Sequence, residues 1–234
     1  METSIIKDNI AQVRRNIQLA CERVGRSPDE VTLICVSKTK PVSMIEESYA
    51  VGEREYGENK AQELKEKYEV LPEDCHFHMI GHLQTNKIKY ILDRACLIHS
   101  VDSLHLAQAL EEACARKNTE CNILIEVNVA GEDSKFGVSG EETLNLVKEI
   151  ARLPHVHIQG LMTIAPFVDN PEDNRIHFRN LHKLYIDIGS ENIDNVSMNV
   201  LSMGMTGDYQ VAVEEGATHV RVGTGIYGAR DYQI

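Results

Sequence analysis

What the sequence lacks narrows its identity first. No run of about 18 or more apolar residues occurs, which excludes a membrane-spanning helix. The opening stretch METSIIKDNIAQVRRN is charged throughout and holds no apolar secretory segment. None of the six cysteines (Cys21, Cys35, Cys75, Cys96, Cys114, Cys121) forms a Cys-x-x-Cys pair. Each falls in or beside an expected helix or strand, where a free thiol acts as a small apolar side chain; a reduced, cytoplasmic compartment is expected. Positive charge is also short: 24 Lys+Arg against 36 Asp+Glu leave a formal net charge of −12. An acidic surface repels phosphate backbones and anionic lipid, so neither bulk nucleic-acid binding nor a membrane-surface role is expected. No Pro/Gly/Ser-rich linker divides the chain, and residues 1–234 read as one domain.

What is present is 42% hydrophobic residues, arranged with a clear period. Ile6, Ile10, Val13, Ile17, Ala20 and Val24 follow three-four spacing before Gly25, which predicts an amphipathic N-terminal helix. Residues 31–36 form a continuous apolar run, the pattern of a strand buried on both faces. Further strands are expected at 54–56, 76–80, 97–101, 123–129, 157–163, 196–203 and 219–223. Helices are expected near 59–69, 84–94, 103–117, 140–152, 171–188 and 207–215. Ser43 with Glu46, Ser103, Ser139 with Glu142, and Asn170 before Pro171 supply N-terminal capping signals. Eight alternating strand–helix units predict a parallel sheet closed into a (β/α)8 TIM barrel with an additional N-terminal helix. An open doubly wound sheet usually carries a glycine-rich turn after its first strand; here that turn is Ser37-Lys38-Thr39-Lys40-Pro41.

Active sites of such barrels lie at the C-terminal ends of the strands. Lys38 follows the first strand directly, where apolar walls disfavour the ammonium form and free the amine for imine formation; a strand-end lysine paired with a carboxylate is the plainer alternative. The loops after the seventh and eighth strands read Ser202-Met203-Gly204-Met205-Thr206-Gly207 and Gly223-Thr224-Gly225. Loops at those positions commonly bind phosphate, and the glycines let the backbone approach. Two-residue alternation sets Arg221 opposite Val220 and Val222, so it points into the barrel and needs a partner, Glu126 or a ligand. A strand-end lysine, a phosphate cradle and an inward arginine together describe a pyridoxal 5′-phosphate (PLP) site. Lys135 follows the fifth strand and could steer a phosphate. The pairs His76/His78 and His155/His157 lack cysteines or carboxylates at a known zinc spacing, so no metal site is expected.

The motifs Val36-Ser37-Lys38-Thr39-Lys40-Pro41, Tyr56-Gly57-Glu58-Asn59, Gly81-His82-Leu83-Gln84-Thr85-Asn86-Lys87, Ser134-Lys135-Phe136-Gly137, Gly160-Leu161-Met162, Leu201-Ser202-Met203-Gly204-Met205 and the run from Val220 to Gly228 resemble the YggS/PROSC family of PLP-binding, PLP-homeostasis proteins. The resemblance covers nearly the whole chain. It implies an alanine-racemase-like barrel with PLP on Lys38, Ser202, Gly204, Gly223 and Thr224 at the phosphate, Arg221 facing the pyridine nitrogen and Asn59 near the ring. His82 and Thr206 depart from the residues common at those positions.

Two functional classes are weighed. The first is a PLP regulator or carrier that holds the cofactor as a Schiff base, with PLP-dependent apo-enzymes as partners. Alanine racemases take a second acid–base group from an additional β domain, whereas this chain ends shortly after its eighth strand; a non-catalytic monomer is expected. Arg221, a permanent cation, would also disfavour ring-nitrogen protonation and weaken the electron sink. The second class is a small PLP-dependent amino-acid racemase completed by an acid such as Tyr56.

Overall fold

The computed structural model describes residues 4–132 and 136–229. Eight strands form the centre: β1 (Thr32–Val36), β2 (Glu55–Glu58), β3 (His76–Met79), β4 (Ala95–Val101), β5 (Cys121–Asn128), β6 (Val156–Met162), β7 (Val196–Met205) and β8 (His219–Val222). Neighbours pair in parallel in the order β4-β3-β2-β1-β8-β7-β6-β5, and β5 pairs back to β4. The eight strands therefore close into a barrel, as the alternation predicts. A two-residue strand, Val138–Ser139, adds to the end of β5.

Two-residue alternation divides the strand side chains between two apolar regions. Ile34 and Val36 meet Ile80 inside the barrel, and Leu97, Leu124 and Met162 meet Val200 there. Outward-facing Leu33, Cys35, Tyr56, Phe77 and Val220 join the main core between barrel and helices. That layer is built by α1 (Ile5–Val24), α2 (Val42–Ala50), α3 (Ala61–Tyr68), α4 (Ile88–Ile91), α5 (Leu104–Lys117), α6 (Gly140–Ile150), α7 (Arg175–Ser190), α8 (Tyr209–Glu214) and α9 (Thr224–Tyr227). The buried stripe of α1 covers α2 and the short helices α8 and α9, so the N-terminal helix thickens that side of the wall.

Most element signals place correctly, with four local differences. The helix expected near 84–94 is a 3-10 turn, Thr85–Lys87, followed by the single turn of α4. Pro171–Asn174 is likewise 3-10 before α7 begins. β2 runs later than the expected 54–56. Ser43 with Glu46 forms no cap: α2 starts at Val42, with the Pro41 carbonyl accepting from the Met44 N–H. Ser103, Ser139 and Asn170 do cap, accepting from the backbone N–H groups of Leu106, Glu142 and Glu172. Among the described residues no helix is long and apolar enough to cross a membrane.

Candidate functional site at the barrel mouth

The expected site residues stand on four consecutive strands of the ring. Lys38 follows β1; Asn59 follows β2; Arg221 lies in β8, with Gly223 and Thr224 after it; Ser202 and Gly204 lie in β7. The ring order β2-β1-β8-β7 puts their C-terminal ends side by side. Register tightens this arrangement, since Val36 pairs with Gly57 and Cys35 with Val222.

The turn after β1 is fixed from several directions. The Lys40 N–H donates to the Ser37 carbonyl at 3.0 Å, and Thr39 takes a left-handed conformation at φ 65°. Lys40 is committed elsewhere: its Nζ donates to the carbonyls of Tyr227 and Ala229 at 3.0 and 2.9 Å. Lys38, half-buried, lies two residues beyond inward-facing Val36. Beneath the turn, Ser37 donates to Glu58 Oε1 at 2.6 Å, and Lys67 Nζ bridges that carboxylate and the Ser37 carbonyl at 2.8 and 2.7 Å. Burial pushes Glu58 up to about 7 against the pull of Lys67. Glu58 thus serves Lys67, a buried partner 9 residues away that the sequence reading missed.

Arg221 is buried inside the barrel, as alternation predicts. Its Nη1 donates to Ser202 Oγ at 2.6 Å and its Nη2 to the Thr163 carbonyl at 2.8 Å. Burial lowers the guanidinium to about 10, against the opposing charges of Glu126 and Asp208, so it stays charged at neutral pH. Glu126, the acidic partner considered from sequence, acts on Arg221 through its field. Burial and neighbouring Asp102 push Glu126 up to about 7 in spite of Arg221. Ser202 is also within 2.9 Å of His99 Nδ1, so its hydroxyl faces the arginine and the barrel interior. Below that, His99 Nε2 meets His78 Nδ1 at 2.9 Å, and His78 Nε2 meets Glu55 at 2.8 Å.

The glycines of the mouth permit close approach. Gly204 has φ 90°, and a Cβ there would lie 2.5 Å from the Ala212 Cβ. A Cβ on Gly223 would press the Val36 carbonyl oxygen at 3.2 Å. The Gly225 N–H donates to Thr206 Oγ1 at 3.3 Å, joining the loops after β7 and β8; threonine keeps the hydroxyl this requires. Thr224 is exposed at the rim. Asn59 is half-buried, with its backbone against Gly81, where a Cβ would come 2.6 Å from the Asn59 oxygen. The departure at His82 leads outward: its ring stacks on Phe136 with centroids 4.1 Å apart. Lys135 lies outside the described residues. Tyr56 faces the outer core, fully buried near Phe77, and its hydroxyl donates to the Glu53 carbonyl at 3.1 Å. It does not reach the mouth, because the inward residue of that strand segment is Gly57, packed on Ile34 and Ile80.

Comparison with known proteins adds an independent line. Residues 9–231 match the alanine racemase N-terminal domain. A pyridoxal phosphate homeostasis protein of Aquifex aeolicus (strain VF5) is 45% identical over 96% of this chain and 98% of its own. Its counterpart of the same description in Escherichia coli (strain K12) is 36% identical over 97% of each chain. The structure of PipY from Synechococcus elongatus PCC7942 with PLP bound superposes with a TM-score of 0.82 at 30% identity, covering 95% of this chain and 100% of that one. Alanine racemase from Corynebacterium glutamicum shares the fold, with a TM-score of 0.70 at 15% identity over 96% of this chain and 62% of that one.

Proposed function

The chain belongs to the family of pyridoxal phosphate homeostasis proteins, built on the alanine racemase N-terminal domain, and from that membership we propose that it holds PLP at the barrel mouth as a Schiff base on Lys38, as a regulator or carrier without strong catalysis. The observation that carries this reading is the placement of Lys38, Asn59, Gly204, Arg221, Gly223 and Thr224 at the adjoining ends of β2, β1, β8 and β7. A bound PLP supplies an aldehyde for a lysine amine and an electron-withdrawing ring.

The chain's own residues fit that group. Gly204 packs its backbone on Ala212 and Gly223 on Val36, and the bond between Gly225 and Thr206 joins the two loops, an arrangement that supports a shared backbone cradle for a phosphate. Ser202, expected at the phosphate, is fully buried with its hydroxyl on Arg221 and His99, so in this reading it acts from below by fixing the Arg221 guanidinium. A charged arginine placed at a pyridine nitrogen disfavours its protonation, so the site binds the cofactor without making it a strong electron sink. The racemase reading needs a second acid at the mouth, and Tyr56, turned into the outer core, does not supply it. Residues 1–234 are read as one PLP-binding domain acting as a cytoplasmic monomer, with PLP-dependent apo-enzymes as recipients.

The test is reconstitution with PLP, borohydride reduction and peptide mass spectrometry. The expected result is a yellow protein with the pyridoxyl group on Lys38 and no colour in Lys38→Ala. Modification at Lys40 or Lys135 would overturn the assignment, and amino-acid racemisation with the turnover of a dedicated enzyme would overturn the carrier reading.

A further inference from the structure

The floor of the barrel, opposite the mouth, gathers a second set of chemical groups. Glu55 opens β2, His76 and His78 lie in β3, and Cys96 lies in β4. The nearest ligating atoms of Glu55, His78 and Cys96 all lie within 4.8 Å of one another. Glu55 is bidentate in effect: one oxygen is 2.7 Å from His76 Nδ1, the other 2.8 Å from His78 Nε2. Register explains how the thiol arrives. Phe77 pairs with Ala95 and His78 with Leu97, so Cys96 is the extra residue of a bulge. A bulge re-aims the side chain it carries. The other five cysteines are buried, whereas Cys96 is exposed.

We propose that Glu55, His78 and Cys96 form a binding site for a divalent transition metal of the zinc class, with solvent in the fourth position. Mixed nitrogen, thiolate and carboxylate donors select such a metal over magnesium or calcium, which take oxygen ligands. One carboxylate and one thiolate neutralise the two positive charges. The support behind His78 is also that of a metal ligand, since its second ring nitrogen is held by His99, and His99 by Ser202. Ligand atoms about 2.0–2.3 Å from a tetrahedral metal stand about 3–4 Å apart, so closure takes a side-chain shift on the order of 1 Å, within reach of exposed Cys96. On binding, the thiol releases one proton to solvent. The two imidazoles keep one proton each and exchange tautomer: His78 Nδ1–H donates to His99 Nε2, and His99 Nδ1–H to Ser202 Oγ.

None of the three ligands is a residue of the mouth; the support behind His78 ends on Ser202, which also holds Arg221, so the metal is tested without PLP and the two readings fail distinguishably. The test uses the full chain, stripped with chelator and free of PLP, titrated with Co²⁺. The expected result is a saturable thiolate-to-cobalt charge-transfer band, displaced by Zn²⁺ and unaffected by excess Mg²⁺. Cys96→Ser, at the surface, should abolish the band, and Glu55→Gln should weaken Co²⁺ binding by at least about a hundredfold, the upper end for loss of a mere outer-shell partner. Circular dichroism confirms that each variant is folded. Absence of the band, its survival in Cys96→Ser, or equal affinity in Glu55→Gln would overturn the proposal.

Discussion

Arg221 is held by Ser202 in β7 and by the carbonyl of Thr163 just beyond β6, so one side chain ties three neighbouring strands together beneath the mouth. Alternation in His219-Val220-Arg221-Val222 makes its inward direction legible in the sequence. Its partners are not legible, because one is a backbone carbonyl 58 residues away. Arg221→Ala strands those acceptors and leaves the Glu126 carboxyl without its compensating cation. The expected loss of stability is about 3–5 kcal/mol, measured by urea unfolding. Gly160 makes a sharper residue-scale prediction. It sits at φ 151°, and an added Cβ would overlap the Val200 carbonyl across the β6–β7 ladder. Gly160→Ala should cost roughly 3–5 kcal/mol or leave the protein insoluble, measured by melting temperature and soluble yield.

Elements show where local signals suffice. Ser139 caps α6 through the Glu142 N–H, and its hydroxyl also meets the Glu142 carboxylate, so the signal and the structure agree. Ser139→Ala should cost about 1 kcal/mol in urea unfolding while leaving PLP binding unchanged. The same kind of signal at Ser43 fails for a physical reason. The turn closed by the Lys40 N–H and the extended Pro41 already deliver the chain to the helix, so the helix starts before Ser43. β4 shows the opposite limit. Its bulge at Cys96 comes from pairing with β3, and no pattern within 95–101 announces it. His76 and His78 therefore read as unsupported histidines until the ring sets Glu55 beside both and Cys96 beside His78.

At the scale of the whole molecule, buried titratable groups oppose one another. Glu58 and Glu126 rise from 4.5 to about 7 in the fold. The native state then holds more protons than the unfolded chain between those values, so acidification stabilises. His219 falls from 6.5 to about 4 through burial and the neighbouring His78, and burial drives His99 the same way. Here the unfolded chain holds more protons, so acidification destabilises. Between pH 4.5 and 6.5 the two pairs offset, and stability should be nearly level. Below 4.5 it should fall, since Glu215, held low by Arg179 and Arg175 against its burial, loses that advantage as it is protonated. Glu126→Gln removes one opposing group and should turn the level region into a decline toward low pH. Urea midpoints at several pH values test this.

The sequence by itself determined the barrel: eight apolar strands of period two, alternating with capped amphipathic helices, have few ways to bury both faces of every strand. It also placed Lys38, Ser202, Gly204, Arg221, Gly223 and Thr224 at or near strand ends, because the barrel rule converts chain order into position, whereas Asn59 came only from the family resemblance. Tertiary structure alone decided which groups touch. Setting β8 beside β7 and β7 beside β6 gave Arg221 to Ser202 and Thr163, packing α3 back on the end of β2 gave Glu58 to Lys67, and the pleat of β2 turned Tyr56 away from the mouth. These outcomes depend on inter-strand register and on bulges, which are fixed by packing across the ring and leave no mark on neighbouring residues along the chain.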